Sequence, residues 1–208
     1  MKIIRIEEFS KTKIRIDTDE NLVLVLYKAD LKRYNLAEGT VLEPKQTELL
    51  LTEILPYRAK ARCLKLLQSK DYTEEEIRRK LTGDGYPQAV IEVAVQYLYK
   101  FHYLDDERYV KLYYQSKCTG KSKKQIIQNL QQKGIRKDVI LSVLETLEPE
   151  DVEGGDLYCI RKLLYKRKYN DEIADYEEKE KVKAYLFRKG FDISDINICM
   201  RNFSWENM

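Results

Sequence analysis

Between Arg108 and Lys137 the chain carries nine basic side chains and no acidic one: Arg108, Lys111, Lys117, Lys121, Lys123, Lys124, Lys133, Arg136 and Lys137. A solvated face is the plainer use of any charge run, but an acid-free run this long also suits phosphate or an acidic partner surface. Lys121, Lys123 and Lys124 stand where a helix is expected to begin. Cations there oppose the helix dipole, which favours negative charge at that end. A phosphate held jointly by these lysines and by the first helical amides would explain their position. Arg108 follows Asp105 by three and could equally be a structural partner at a helix start.

A second cluster, Arg78, Arg79 and Lys80, follows Glu74, Glu75 and Glu76. The spacing of Glu74 to Arg78 and of Glu75 to Arg79 predicts ion pairs along one helix face. Part of that cluster is therefore expected to be structural, and Arg78 and Arg79 are carried as contact candidates beside it. Tyr97, Tyr99, Tyr103, Tyr109, Tyr113 and Tyr114 crowd the same stretch of chain. Bases stack on such rings, yet Tyr109 and Tyr113 share one helix face at core spacing, and packing is the first expectation.

Chemistry of other kinds finds no support in these residues. There is one histidine, His102, and the four cysteines are far apart in sequence. Neither pattern is that of a zinc site, and reduced, partly buried thiols are expected. No Gly-rich phosphate loop and no nucleophile elbow occurs. The reading is a non-enzymatic protein with no cofactor. Lys2 and Arg5 are followed by charged residues rather than by a long apolar run, and the longest apolar stretch lies near 22–27, too short to span a bilayer. A cytoplasmic protein without a membrane contact is expected.

The elements that must position these residues follow from composition and period. Of the 208 residues, 35% are charged, above the ~25% usual in globular domains, and only 8 are Gly and 4 Pro. That balance suits much exposed helix rather than disorder. The net charge of +3 is unevenly spread, with residues 57–147 basic and both ends slightly acidic. Residues 1–27 alternate with period two. Ile4 and Ile6 read as one strand, 13–17 as a second with one wet face, and 22–26 as a buried third joined to the second through a turn at 18–21. A short helix over 29–35 and a strand at 40–42 complete a β-rich module of residues 1–54.

After Pro56 the period becomes helical and an internal repeat appears. Aligned on Gly85, Gly134 and Gly190, five apolar columns recur. Eight before each glycine stands Ile77, Ile126 or Val182; four before, Leu81, Leu130 or Leu186; one after, Tyr86, Ile135 or Phe191; six after, Ile91, Ile140 or Ile196; thirteen after, Leu98, Leu147 or Phe203. The first two columns share a helix face. The glycine suits the left-handed turn past a helix end, and the last two columns share the next face. Capping boxes at 73–76 and 122–125 precede their glycines by the same offset. The predicted helices are 57–69, 73–82 and 87–101; 105–117, 122–132 and 137–147; and, less regularly, 153–168, 175–189 and 193–203, with Glu178 where a cap is wanted. The fold expected is mainly α. Three-helix units at 57–104, 105–148 and 149–208 would form an elongated, curved array behind the β-rich module.

The stretches 72–81, 85–86, 103–109, 120–122 with Ile126, and 131–135 resemble the RecX family, and so does the β-rich leader followed by 28–31. The piece 104–109, at the junction of two repeats, is the most specific. Val110 stands where many members have Ala, and the third repeat diverges. The resemblance implies a partner that composition cannot supply: the RecA recombinase and its filament on single-stranded DNA. It further implies a regulator lying along the filament groove that limits filament growth, ATP hydrolysis and strand exchange. Some lineages favour recombination instead, and some members touch DNA directly. A monomer is expected. A sequence-independent nucleic-acid-binding helical module is the alternative.

Overall fold

The computed structural model describes residues 1–118, 120–147 and 155–205. They form two compact units, 1–105 and 106–208. The expected junction between residues 148 and 149, and the expected helix start at 153, lie outside the described residues.

The first unit opens with an antiparallel meander of β1 (Ile3–Glu8), β2 (Lys13–Thr18) and β3 (Val23–Tyr27). The central strand pairs Ile14 with Leu26 and Ile16 with Leu24, and all four side chains are buried. The alternation read for the first strand is corrected by a bulge. Ile3 pairs with Thr18 and Arg5 with Asp17, which leaves Ile4 as the extra residue. A bulge reverses the phase of a strand. Ile3 and Ile6 therefore both turn inward, and Ile4 is exposed. The strand expected at 40–42 is reduced to one bridge between Lys2 and Val41. A short helix, α1 (Lys28–Arg33), follows the sheet.

Pro56 does not open the helical region. One helix runs through α2 (Pro44–Leu49), a π-helical turn at Leu50–Ile54 and α3 (Leu55–Leu67). Proline has no N–H to donate, and its ring crowds the carbonyl four residues back. A widened turn just ahead of Pro56 gives that ring room, so the helix continues. The remaining helices are α4 (Glu74–Gly83) and α5 (Gln88–Lys100). The sheet and α3–α5 share a single core containing Ile3, Leu24, Leu50, Ala59, Ile77 and Ile91.

The second unit holds α6 (Asp106–Lys117), α7 (Lys123–Gln132) and α8 (Lys137–Leu147), then α9 (Asp156–Lys166), α10 (Tyr176–Arg188) and α11 (Ile193–Met200). The two helix triplets have separate cores, one on Val110, Ile126, Leu130 and Ile140, the other on Ile160, Tyr169, Leu186 and Phe191.

The repeat register holds in all three triplets. Gly85, Gly134 and Gly190 have φ of +83°, +89° and +86°. After each, the next amide reaches back to the same repeat column: Tyr86 to the carbonyl of Leu81, Ile135 to that of Leu130, and Phe191 to that of Leu186. This is the hydrogen-bond pattern of a helix closed by a left-handed residue, and it carries the apolar side chain into the core. The third triplet departs in length. Its cap is Asp175, whose carboxylate accepts from the Glu178 amide at 2.8 Å. Helix α10 has 13 residues where α4 and α7 have 10. Three extra residues are nearly one turn, so Val182 and Leu186 keep their face. Helix α11 stops at Met200 rather than 203. The chain reverses at Asn202, φ +56°, and Phe203 meets the Tyr169 ring at 6.4 Å from an extended segment.

Candidate basic interface

The nine cations of the acid-free run all lie in the second unit. On α6 the core takes Val110, while Tyr109 and Tyr113 stack on each other at 6.2 Å and are half-buried. Arg108, Lys111 and Lys117 on the same helix are exposed. At the start of α7, Lys124 is exposed and Lys121 and Lys123 are half-buried. Past α7, Lys133 Nζ sits over the Tyr109 ring at 5.5 Å, a contact that fixes the cation against packed aromatic surface. Arg136 pairs with Asp138 at 3.4 Å, and both are exposed. Such a pair contributes about 0–1 kcal/mol and leaves the arginine able to exchange partners. Lys137 is exposed.

The helix-start phosphate expected at 121–124 meets an occupied site. Ser122 is buried and its hydroxyl accepts from the Gln125 amide at 3.1 Å. The Lys123 amide donates to Asp156 Oδ1, from α9, at 2.9 Å. The third repeat thus supplies the anion that the second repeat's helix dipole favours. Burial pushes the Asp156 carboxyl up from its ordinary range; the Lys123 amide opposes this, and Asp195 and Asp192 add to it. Lys124 is exposed toward solvent, but the Lys123 and Gln125 amides are taken within the chain.

The cluster in the first unit is drawn into ion pairs. Arg78 meets Glu74 at 2.6 Å and grips both oxygens of Glu92 at 2.6 and 3.0 Å. Hydrogen bonding to Glu92, opposed by partial burial and helped by Glu74, raises its pKa above the ordinary arginine value. Arg79 approaches Glu75 only to 3.8 Å and is exposed. The predicted four-residue pairs are therefore present, and Arg79 is the freer of the two arginines. Among the described residues no three His, Cys, Asp or Glu side chains gather as metal ligands would. No helix among them is long and apolar enough to cross a membrane.

A second basic feature escaped the sequence reading. A groove of about 790 Å³ in the second unit is lined by Gly120, Lys162, Leu163, Tyr165, Lys166, Arg167, Tyr185 and Lys189. The local signal was present: residues 161–168 hold five cations and no acid. The net acidity of the last sixty residues concealed it, because charge averaged over a segment says nothing about which face carries it.

A tandem array of three-helix units, each closed by the same left-handed turn, defines a helical-repeat protein. Family models for the first, second and third three-helix domains of RecX match residues 59–98, 105–144 and 159–200. The chain belongs to the RecX family. It is 28% identical over 199 residues to the "Regulatory protein RecX" of Caldanaerobacter subterraneus subsp. tengcongensis, with 94% of each chain covered. It is 22% identical to that of Clostridium perfringens strain SM101, covering 97% of this chain and 94% of the relative. A solved "Crystal structure of regulatory protein RecX" superposes with a TM-score of 0.61 at 26% identity, over 97% of this chain and 99% of the other. The structure of RecX from Lactobacillus salivarius, at 21% identity and a TM-score of 0.59, shares the fold.

Proposed function

We propose that the chain is a cytoplasmic, monomeric, non-enzymatic regulator that binds RecA and its filament on single-stranded DNA. It limits filament growth, ATP hydrolysis and strand exchange. The supporting observation is the set of exposed cations, Arg108, Lys111 and Lys117 on α6 and Lys124 at the start of α7, in a member of this family. Lys121, Lys123, Lys133, Arg136 and Lys137 extend that surface, and Arg79, with Arg78 behind it, offers a second contact in the first unit. The contact would bias the filament by binding its growing and dissociating states unequally. The β-rich module of residues 1–54 and units 57–104, 105–148 and 149–208 form the working division of this reading.

The test is RecA ATP hydrolysis on single-stranded DNA with substoichiometric protein. Hydrolysis slows with the wild type and recovers with the triple reversal Lys121→Glu/Lys123→Glu/Lys124→Glu. Unchanged hydrolysis at equimolar wild-type protein removes the RecA assignment. Equal inhibition by both proteins removes this choice of surface.

A further inference from the structure

We propose that the groove between α9 and α10 binds the sugar–phosphate backbone of single-stranded nucleic acid, with Tyr165 stacking a base. The groove presents Lys162, Lys166, Arg167 and Lys189, and no carboxylate is among its described lining residues. None of the four cations forms an ion pair with a described residue. Elsewhere in the second unit, Lys179, Lys181 and Lys183 are paired with Asp171, Glu177 and Glu180. Carboxylates are therefore at hand in this repeat, and the groove excludes them.

The plain reading of cations near helix ends is dipole compensation. It covers part of the set, since Lys166 ends α9 and Lys189 follows α10. It does not cover Lys162, a turn inside α9. The terminal carbonyls are moreover already engaged by the amides of Arg167, Lys168 and Tyr169 on α9, and of Lys189, Gly190 and Phe191 on α10. The helix ends therefore need little from four side-chain charges.

The arrangement is ordered rather than diffuse. The Arg167 guanidinium lies 3.9 Å from the Tyr185 ring centre, and Lys189 Nζ lies 5.3 Å from the same centre. One aromatic ring thus holds cations from both helix ends at the groove wall. Lys162 and Lys166 are one turn apart, about 6 Å along the helix, a spacing suited to successive phosphates. Tyr165, between them in sequence, is 48% exposed and offers an unburied ring face. Alternating cations and rings is the pattern of single-strand binders, whereas an acidic peptide would make no use of the ring. Gly120 borders the groove without a side chain to close it, and it lies between Lys117 and Lys121 of the acid-free run. A strand leaving the groove there enters the surface assigned above to the filament contact.

This inference stands apart from RecA binding, and its test contains no RecA. Fluorescence anisotropy of a labelled oligo-dT is measured with the full chain over a salt series. The wild type binds, and affinity falls as salt rises. The reversal Lys162→Glu/Lys166→Glu weakens binding at least tenfold, and the neutral pair Lys162→Gln/Lys166→Gln flattens the slope of log affinity against log salt by about 1.4, at ~0.7 per lost phosphate. Tyr165→Ala weakens binding by roughly five- to a hundredfold, and Tyr165→Phe restores it. Circular dichroism checks that each variant is folded. Oligo-dT affinity and salt slope unchanged in the neutral pair would overturn the groove. Displacement of oligo-dT by polyglutamate in preference to unlabelled oligo-dT would assign it to an acidic protein. Preference for duplex over oligo-dT would overturn the single-strand reading. Loss of RecA inhibition in these variants is not required, so failure here leaves the RecA reading intact.

Discussion

His102 occupies the same left-handed position that the repeat turns give to glycine. Its φ is +55°, and the following Tyr103 amide closes on the Leu98 carbonyl at 2.8 Å, as Tyr86 closes on Leu81. The only histidine of the chain thus terminates a helix. A residue with a Cβ costs about 1–2 kcal/mol in that conformation, while glycine loses about 0.5–1 kcal/mol in chain entropy. His102→Gly is expected to stabilise the first unit by up to about 1 kcal/mol in urea unfolding. At Gly190 the opposite holds, because a Cβ there would lie 2.6 Å from Ser122 Oγ. Gly190→Ala should cost more than Gly39→Ala, which adds a Cβ into open space at φ +84°. Equal losses would mean that backbone conformation alone sets the price. Asp30 is the buried charge of the first unit. Burial alone would raise its pKa, but hydrogen bonds from Arg58 and the Tyr27 amide hold it below the ordinary carboxylate range. Arg58 grips both its oxygens and lies 4.8 Å from the Tyr27 ring. The stability this carboxylate contributes is full above its unfolded pKa near 4 and is lost as pH falls through the lower folded value. Asp30→Ala strands the guanidinium and should cost about 3–5 kcal/mol at neutral pH. It should also flatten the acid limb of the stability profile, and an unchanged acid limb would refute this account.

At the level of elements, the start of α7 couples the second and third repeats through Asp156. Because its folded pKa is raised, the sign is opposite to that of Asp30. Its contribution is full below the unfolded pKa and declines as pH rises through the folded value. Asp156→Asn keeps an oxygen for the Lys123 amide and removes the charge facing Asp192 and Asp195. It should leave the second unit as stable or more so at pH 7. Asp156→Ala should lose about 1 kcal/mol with the hydrogen bond. Thermal unfolding of both variants between pH 4 and 7 separates these outcomes; a marked loss in Asp156→Asn at pH 7 would mean the charge itself is stabilising. The repeat, its glycines and the cap at Thr73 were legible because each is a local pattern of type and spacing. The bulge at Ile4 and the continuous helix through Pro56 were not. In both places a non-local packing demand, the inward turn of Ile3 and the burial of Leu50 and Leu55, outweighs the local rule.

Across the whole chain, the separation of cores decides cooperativity. Every residue of the first core lies within residues 1–105, and the two other cores lie within the second unit. Leu130 is fully buried, and Leu130→Ala should cost about 2–5 kcal/mol. That loss is expected in the unfolding of the second unit alone, and the fragment 1–105 should unfold cooperatively on its own at the midpoint that the first unit shows in the full chain. A single transition shifted as a whole by Leu130→Ala would show that the units unfold as one. The sequence by itself determined the helical repeat, its register on three glycines and the acid-free run, since all are written in spacing along the chain. Only tertiary structure decided what those charges are free to do. It seated the Asp156 carboxylate on the helix start reserved for phosphate, committed Arg78 to Glu74 and Glu92, and gathered Lys162, Lys166, Arg167 and Lys189 from two helices into one groove. Charge is counted along a chain, but its use depends on which side chains and amides folding brings within reach of it.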